Sequence, residues 1–105
     1  MNVDSMNFGG ALRAMKDGYC VARRGWNGRD MWVAWWKPGT YEVESGLFEN
    51  CPALQQLANK AKSRSLDVGG CVVMRTADGS IVFGWLASQT DMFAEDWELR
   101  PAPGL

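Results

Sequence analysis

The residues best suited to chemistry lie in one stretch near the C-terminus, 85–97, which reads WLASQTDMFAEDW. It holds two of the six tryptophans and three carboxylates, and Ser88 to Asp91 form an unbroken run of short polar side chains. Hydroxyl, amide and carboxylate groups make hydrogen bonds in defined directions, and indole rings offer large apolar surfaces. This combination is suited to binding a ligand that has both a flat ring and polar groups.

The same stretch also predicts the start of a helix. Ser88 and Thr90 both suit an N-cap, because a hydroxyl can accept hydrogen bonds from the free N–H groups of a first turn. Ser88 with Asp91 three residues later resembles a capping box. On this interpretation Met92 and Phe93 would pack into the core. The two interpretations are compatible, because a helix N-terminus can itself bind an anion.

The composition argues against several kinds of active site. There is no histidine, which removes Ser-His-Asp and Cys-His catalysis and the usual general base. The three cysteines, Cys20, Cys51 and Cys71, have no CxxC spacing and are expected to be reduced thiols. No carboxylate pair has a recognisable catalytic spacing. We therefore expect no catalytic residue, no metal site and no cofactor.

The length and charge of the chain point to one small domain, residues 1–105, with loose termini at 1–6 and 101–105. A net charge of −1 argues against a nucleic-acid binder that relies on phosphate charge. No apolar run approaches 18 residues and no signal peptide is recognisable, so we expect a cytoplasmic protein.

Periodicity predicts an α+β fold. An apolar stripe with Asn7 and Gly18 at its ends predicts an N-terminal helix, and Pro52 suits the first position of a second helix, capped by Asn50 or Cys51. Asp78-Gly79 between two β-rich runs predicts a hairpin. We expect an antiparallel sheet with both helices packed on it. The predicted elements are helix 7–18, strand 19–23, turn 25–28, strand 31–36, helix 52–62, polar loop 63–69, strand 71–76, turn 77–80, strand 81–85 and a last strand at 97–99.

Six tryptophans are more than a small core usually needs, and two regions of the sequence that contain them are unusual. Trp26 lies in a glycine-flanked turn between Arg24 and Asn27, where contact with a ligand or a partner chain explains it better than burial does. The strand at 31–36 is apolar on both faces, which implies cover on both sides. In so small a protein we expect another subunit to supply the second cover.

Three parts of the sequence together carry a family resemblance. They are Lys16-Asp17-Gly18 at the end of the first helix, VARRGWNG at 21–28, and WLASQTDM at 85–92 followed by Glu95-Asp96-Trp97. The combination resembles a family of small phage and prophage domains that includes the second type of Thoeris anti-defence protein. The resemblance covers the first and last thirds of the chain, and residues 40–69 add nothing to it.

The resemblance implies a sponge, meaning a protein that binds a signal and holds it unmodified, and no enzyme. Members of the family are similar small α+β proteins that assemble as homotetramers, as dimers of dimers. They bind cyclic ADP-ribose isomers made by the Thoeris immune sensor, and some bind cyclic oligonucleotides. The immune effector then stays inactive. This implies action in the cytoplasm of the infected bacterial host.

The family pattern places the ligand base on Trp26, with Ala87, Ser88 and Thr90 on the opposing side and Asp91 as a neighbour. The residues support this independently, because an aromatic face suits a base and short polar groups suit ribose hydroxyls. Arg23, Arg24 or a helix start near Ser88 suit a pyrophosphate, although the two arginines could instead pair with carboxylates across strands. The predicted ligand-binding residues are Trp26, Asn27, Arg24, Trp85, Ala87, Ser88, Thr90 and Asp91.

The affinity that a sponge needs for its signal implies a pocket formed by more than one subunit. Depleting a signal at sub-micromolar levels requires more than ~8 kcal/mol of binding free energy. One stacked base provides only about 1–3 kcal/mol, so we expect a pocket closed by two subunits. Two alternatives remain: an oligomeric interaction module without a ligand, and an enzyme that degrades a nucleotide signal with Asp91, Glu95 or Asp96 as its base.

Overall fold

The computed structural model describes residues 5–26 and 30–101. The fold is α+β with antiparallel sheets, as predicted. The chain divides into two compact units, one built from the segments up to Trp36 and from Cys71 onward, the other from Lys37–Gly70. In chain order the elements are α1 (Phe8–Lys16), β1 (Cys20–Arg23), β2 (Trp32–Trp36), β3 (Gly39–Glu42), α2 (Pro52–Lys60), β4 (Ser65–Val68), β5 (Cys71–Arg75), β6 (Ile81–Phe83), α3 (Gln89–Phe93) and β7 (Trp97–Arg100).

The first unit is a five-stranded sheet in the order β6-β5-β2-β1-β7, in which every neighbouring pair is antiparallel. Helix α1 packs on one face. Its apolar stripe and the strands below it form a core of buried side chains: Ala11, Ala14, Met15, Val21, Val33 and Trp97. The predicted closing strand at Trp97 is confirmed as β7, which pairs with β1.

Local signals determine both ends of α1. The Asn7 side chain caps the helix by accepting from the Gly10 N–H at 2.9 Å. Beyond Lys16 the chain turns through Gly18, whose φ of +99° is the left-handed conformation that glycine adopts without strain. The predicted helix and both of its end signals are therefore confirmed, with slightly shorter bounds.

The predicted loose leader at 1–6 is too long. Met6 pairs with Trp97 through two backbone hydrogen bonds, of 2.7 and 3.1 Å, at the outer edge of β7. The Ser5 hydroxyl donates to the Glu95 carbonyl at 2.8 Å. The reason is tertiary, since the free edge of a closing strand offers backbone partners that no local pattern reveals. Residues 1–4 and 102–105 lie outside the described part of the chain.

The second unit pairs β3 with β4 in a two-stranded antiparallel sheet, with α2 between them in the chain. The predicted polar loop at 63–69 is therefore wrong, because Leu66 lies opposite Tyr41 in a four-residue strand. Two short 3-10 turns at Val43–Ser45 and Leu47–Asn50 precede α2. The helix begins at Pro52 as predicted, with Cys51 at the N-cap position.

Strand β2 lies at the centre of the large sheet, and its two faces differ. Val33 faces the core and is fully buried, whereas Trp32, Ala34 and Trp36 on the opposite face are half-buried. Within one chain the predicted burial on both sides is therefore incomplete. The predicted cover by another subunit stays a prediction. The register of β2 with its neighbours defines a second face of the sheet, which includes Trp32, Ala34, Trp36, Cys71, Val73, Arg75, Ile81 and Phe83.

The β5–β6 hairpin is confirmed, with a shorter second strand than predicted. In its turn, hydrogen bonds from Ser80 and then Thr76 lower the pKa of Asp78 to about 2. Strand β6 ends at Phe83 because Gly84 has a φ of +85°. The N–H groups of Gly84 and Trp85 both donate to the Val72 carbonyl, at 2.9 and 3.0 Å. This irregularity redirects the chain toward α3.

Candidate functional site

Helix α3 begins with the capping box that the sequence predicts. The Asp91 N–H donates to the Ser88 hydroxyl, and the Ser88 N–H donates to the Asp91 carboxylate, both at 3.1 Å. The prediction that Met92 and Phe93 pack into the core is wrong, since they are 42% and 84% exposed. The helix has only five residues, and the side chain that it turns inward is Asp91.

The Arg23 guanidinium joins two acidic side chains at the end of β1. Its Nε donates to Oδ1 of Asp96 at 2.9 Å, and its Nη1 donates to Oδ1 of Asp91 at 3.0 Å. Only 17% of the Arg23 side chain is exposed, so these charge-assisted bonds are partly shielded from water. The two hydrogen bonds raise the pKa of Arg23 above its ordinary value. This pairing ties α3 to the segment before β7.

The Asp91 carboxylate is the most heavily used polar group of the site. Burial opposes its ionisation, but hydrogen bonds from Arg23, from Ser88 and from Trp26 outweigh that effect and lower the Asp91 pKa. Its Oδ1 accepts from Arg23 and, at 3.4 Å, from the indole Nε1 of Trp26. Its Oδ2 accepts from the Ser88 N–H. Both oxygens are therefore engaged within the protein.

Asp96 holds the turn that carries Trp26. Its Oδ2 accepts from the Gly25 N–H at 2.9 Å, and its backbone carbonyl accepts from the Arg24 N–H at 3.0 Å. A Cβ added at Gly25 would lie 3.1 Å from the Asp96 Oδ2, so glycine suits this close approach. Hydrogen bonding to Arg23 is the main reason that the pKa of Asp96 is lowered.

Three tryptophans meet beside this network. Trp26 lies edge-to-face against Trp97 at 5.3 Å and against Trp85 at 6.0 Å between ring centroids. Trp85 and Trp97 are 6.3 Å apart in the same type of contact. Trp97 is fully buried and donates from its Nε1 to the Asp91 carbonyl at 2.9 Å. Trp26 and Trp85 are half-buried.

The remaining predicted residues lie at the outside of the same region. Arg24 is exposed, and its Nε is 3.5 Å from an oxygen of Glu98. Ala87 is half-buried and Thr90 is exposed on α3. The predicted residue Asn27 lies outside the described residues. The structure thus brings Trp26, Trp85, Ser88 and Asp91 together directly.

Sequence reasoning missed the structural importance of Arg23 and Asp96. Arg23 was considered only as a phosphate ligand or a cross-strand partner, and Asp96 only as a possible base. Both arginines pair with carboxylates, but the partners of Arg23 lie in α3 and before β7 and not, as had been predicted, on a neighbouring strand. The available signal was an arginine at a strand end, next to a glycine turn, in a chain with an acidic segment before its last strand.

Residues 5–26 and 30–101 contain no group of three or more His, Cys, Asp or Glu side chains that could hold a metal ion. Within the same ranges, each helix is too short or too polar to cross a membrane.

Comparison with known proteins gives two matches over nearly the whole chain. A family model described as the Thoeris anti-defense 2-like domain matches residues 6–100. The Thoeris anti-defense 2 protein of Bacillus phage SP01 is 32% identical over 98 residues, which span 90% of this chain and 93% of that protein. The span matched by the family model includes the whole candidate site.

Proposed function

This chain belongs to the Thoeris anti-defense 2-like family, and we propose that it acts as a sponge for nucleotide immune signals. Membership of the family makes its role one of phage anti-defence. In the proposed mechanism it binds cyclic ADP-ribose isomers in the cytoplasm of the infected bacterial host, and holds them without cleavage. Cyclic oligonucleotides are a second ligand class. The immune effector then lacks its activating signal.

The half-buried Trp26 is the observation that carries this proposal. Its ring is fixed by contacts with Trp85 and Trp97 and by its hydrogen bond to Asp91, yet the residue is only half-buried. A rigid, partly exposed aromatic face can stack a base with little loss of side-chain entropy. Such stacking is worth about 1–3 kcal/mol per base.

The polar groups around Trp26 suit the rest of a nucleotide. Thr90 is exposed and can donate to or accept from a ribose hydroxyl. The Arg24 side chain is 54% exposed, and its terminal nitrogens can approach a pyrophosphate. Ser88 is engaged in the capping box, where its hydroxyl accepts the Asp91 N–H and bonds the Asp91 carboxylate. Asp91 shapes the site, because its oxygens already have protein partners.

The chemistry of the acidic groups favours a sponge over an enzyme. A general base works best when its pKa is near the working pH. The pKa values of Asp91 and Asp96 are lowered, and both carboxylates are paired with Arg23. Each would be a weak base at neutral pH. We therefore propose that the protein binds its ligand without chemical change.

The proposal includes a homo-oligomer, a tetramer arranged as a dimer of dimers, in which a second copy completes the pocket. Strand β6 is an edge strand whose side chains are all exposed, with Ile81 at 48%, Val82 at 46% and Phe83 at 61%. At the opposite edge Met6 partly covers β7, which also carries charged side chains at Glu98 and Arg100. An uncovered apolar edge favours pairing with another chain, and a charged or covered edge opposes it.

A second candidate function is an interaction module that binds a host protein. The observation in its favour is the exposure of Leu86 at 88% and Phe93 at 84%, on either side of the capping box. Exposed apolar patches mark binding surfaces. This candidate predicts a complex with a host protein and no affinity for nucleotides.

Ligand recovery tests the proposal. The protein is incubated with a cyclic ADP-ribose isomer, separated from free ligand, then denatured by heat, and the released ligand is analysed by chromatography. The sponge predicts that bound ligand is returned unchanged in amount and in retention time. Altered ligand would show an enzyme. Absence of bound ligand, with this probe and with cyclic dinucleotides and trinucleotides, would leave the interaction module.

A further inference from the structure

We infer that Arg23 positions Trp26 in the binding site, acting through Asp91 and Asp96 without touching a ligand. The value of this role for binding rests on the proposed function of Trp26 as a stacking platform. The contacts of Arg23 with Asp91 and Asp96 are present in the ligand-free protein, so they can be tested without any ligand.

The first route from Arg23 to Trp26 passes through one oxygen atom. Oδ1 of Asp91 accepts from Nη1 of Arg23 at 3.0 Å and from the indole Nε1 of Trp26 at 3.4 Å. The cation therefore fixes the acceptor that orients the ring. Without it the carboxylate would be held only by Ser88 and by the 3.4 Å bond from Trp26 itself.

The second route passes through the backbone of the turn. Nε of Arg23 donates to Oδ1 of Asp96, whose other oxygen accepts from the N–H of Gly25. Gly25 immediately precedes Trp26, so this route sets the backbone position of the tryptophan. The two routes together define both where Trp26 lies and how its ring is turned.

The geometry requires an arginine. The guanidinium is a rigid planar fork, and here Nε and Nη1 point at two different carboxylates. A lysine ammonium is a single charge on a flexible stem and cannot hold both carboxylates in these directions. Loss of the cation would also leave two negative charges facing one site, and their repulsion would move Asp91 and Asp96 apart.

The test uses the indole N–H signals in two-dimensional 1H–15N NMR of the ligand-free protein. The six tryptophans supply six such signals, and that of Trp26 is the one lost in Trp26→Phe. In Arg23→Gln we expect the Trp26 signal to shift or broaden more than the other indole signals do. Affinity for a cyclic ADP-ribose isomer should fall about tenfold or more as the platform loses its orientation. Arg23→Lys should fall between wild type and Arg23→Gln in both measurements.

Arg64→Gln is the matched control. Arg64 lies in the other unit, is exposed, and makes one ion pair with Glu44 at 3.6 Å. Its replacement should leave both the Trp26 signal and the affinity unchanged. If Arg23→Gln folds, lowers the melting temperature, and leaves signal and affinity as in wild type, Arg23 only stabilises the fold and the inference is overturned.

A second variant keeps the test decisive if Arg23→Gln fails to fold. Asp91→Asn preserves the size of the side chain and leaves the bond between Arg23 and Asp96 in place. The weaker neutral acceptor should shift the Trp26 signal, and an unchanged signal would overturn the inference. If wild type binds no cyclic ADP-ribose isomer, the proposed function fails, whereas the NMR signals still decide whether Arg23 positions Trp26.

Discussion

Two neighbouring arginines show the difference between the inside and the outside of the candidate site. Arg23 is 17% exposed and bonds two carboxylates at 2.9 and 3.0 Å, whereas Arg24 is 54% exposed and meets one carboxylate at 3.5 Å. Arg23 is the last residue of β1, whereas Arg24 begins the turn that follows. The same residue type therefore holds structure together at one position and stays available for a ligand at the next.

The same division runs through α3 and defines two sets of residues. The inner set is Arg23, Ser88, Asp91 and Asp96, whose polar groups mainly satisfy one another. The outer set is Arg24, Ala87, Thr90 and the exposed parts of Trp26 and Trp85. We expect changes in the inner set to reduce stability first and changes in the outer set to reduce affinity first.

Replacing Arg23 should have the largest effect on folding. Arg23→Gln leaves two partly buried carboxylates without their cation, which should lower the free energy of unfolding by about 2–4 kcal/mol. The measurement is chemical denaturation followed by circular dichroism. Arg24→Gln is the control and should change the free energy of unfolding by no more than about 0.5 kcal/mol. Equal losses in the two variants would contradict the division.

Replacing the indole ring of Trp26 should have the largest effect on binding. Trp26→Leu removes the aromatic face while keeping an apolar side chain, and should weaken binding by about 1–3 kcal/mol, roughly 5- to 150-fold. Trp26→Phe keeps a stacking surface and should retain most of the affinity. Calorimetry with a cyclic ADP-ribose isomer measures both. If leucine binds as well as phenylalanine does, stacking is not the basis of recognition.

Removing the cap of α3 should affect folding moderately. Ser88→Ala deletes the hydroxyl that accepts the Asp91 N–H, and we expect a loss of about 1 kcal/mol in the free energy of unfolding. Thermal unfolding checks this against Ser88→Thr, which retains a capping hydroxyl. A variant with full stability and greatly reduced affinity would place Ser88 in the outer set.

The inner set should also make the free energy of unfolding depend on pH. Asp91 and Asp96 have pKa values below those of an unfolded chain, so their contribution is complete above about pH 4–5. It is lost as the pH falls through their lowered values. Arg23→Gln removes a major cause of both shifts and should lose less stability on acidification. Asp78 titrates in both proteins, so it cancels in the comparison. Parallel pH profiles would contradict the prediction.

The smallest expected effect on folding belongs to the outer side of α3. Thr90→Ala should change the free energy of unfolding by no more than about 0.5 kcal/mol, because the side chain is exposed. Its affinity loss should be about 1 kcal/mol, the value of one hydrogen bond to the ligand. Comparing calorimetry with thermal unfolding tests this, and a loss of stability larger than the loss of affinity would contradict it.

What the sequence could predict depended on how far apart the interacting residues lie along the chain. Helix α1 and the capping box of α3 were predictable because their caps lie within three residues of their partners. Strand β4 was missed because it is four residues long and becomes a strand only by pairing with β3. Met92 and Phe93 were misplaced because apolar character alone does not show which side of a short helix faces inward.

The contacts of Arg23 with Asp91 and Asp96 could not be predicted from the sequence for the same physical reason. Arg23 is separated in sequence from Asp91 by 68 residues and from Asp96 by 73. No local pattern connects groups so far apart, because β1 and β7 become neighbours only in the folded sheet. Trp26 drew attention because a tryptophan in a glycine-flanked turn is unusual by itself, and its predicted role in binding stays a prediction. The residues that hold it could not be predicted.

The most direct test of the central claim is a calorimetric titration of the wild-type protein with a cyclic ADP-ribose isomer. We predict saturable binding with a sub-micromolar dissociation constant, corresponding to more than ~8 kcal/mol, and no later heat from turnover. A titration without binding heat at several temperatures, from protein with an intact near-ultraviolet tryptophan spectrum, would contradict the claim that this site sequesters such a signal.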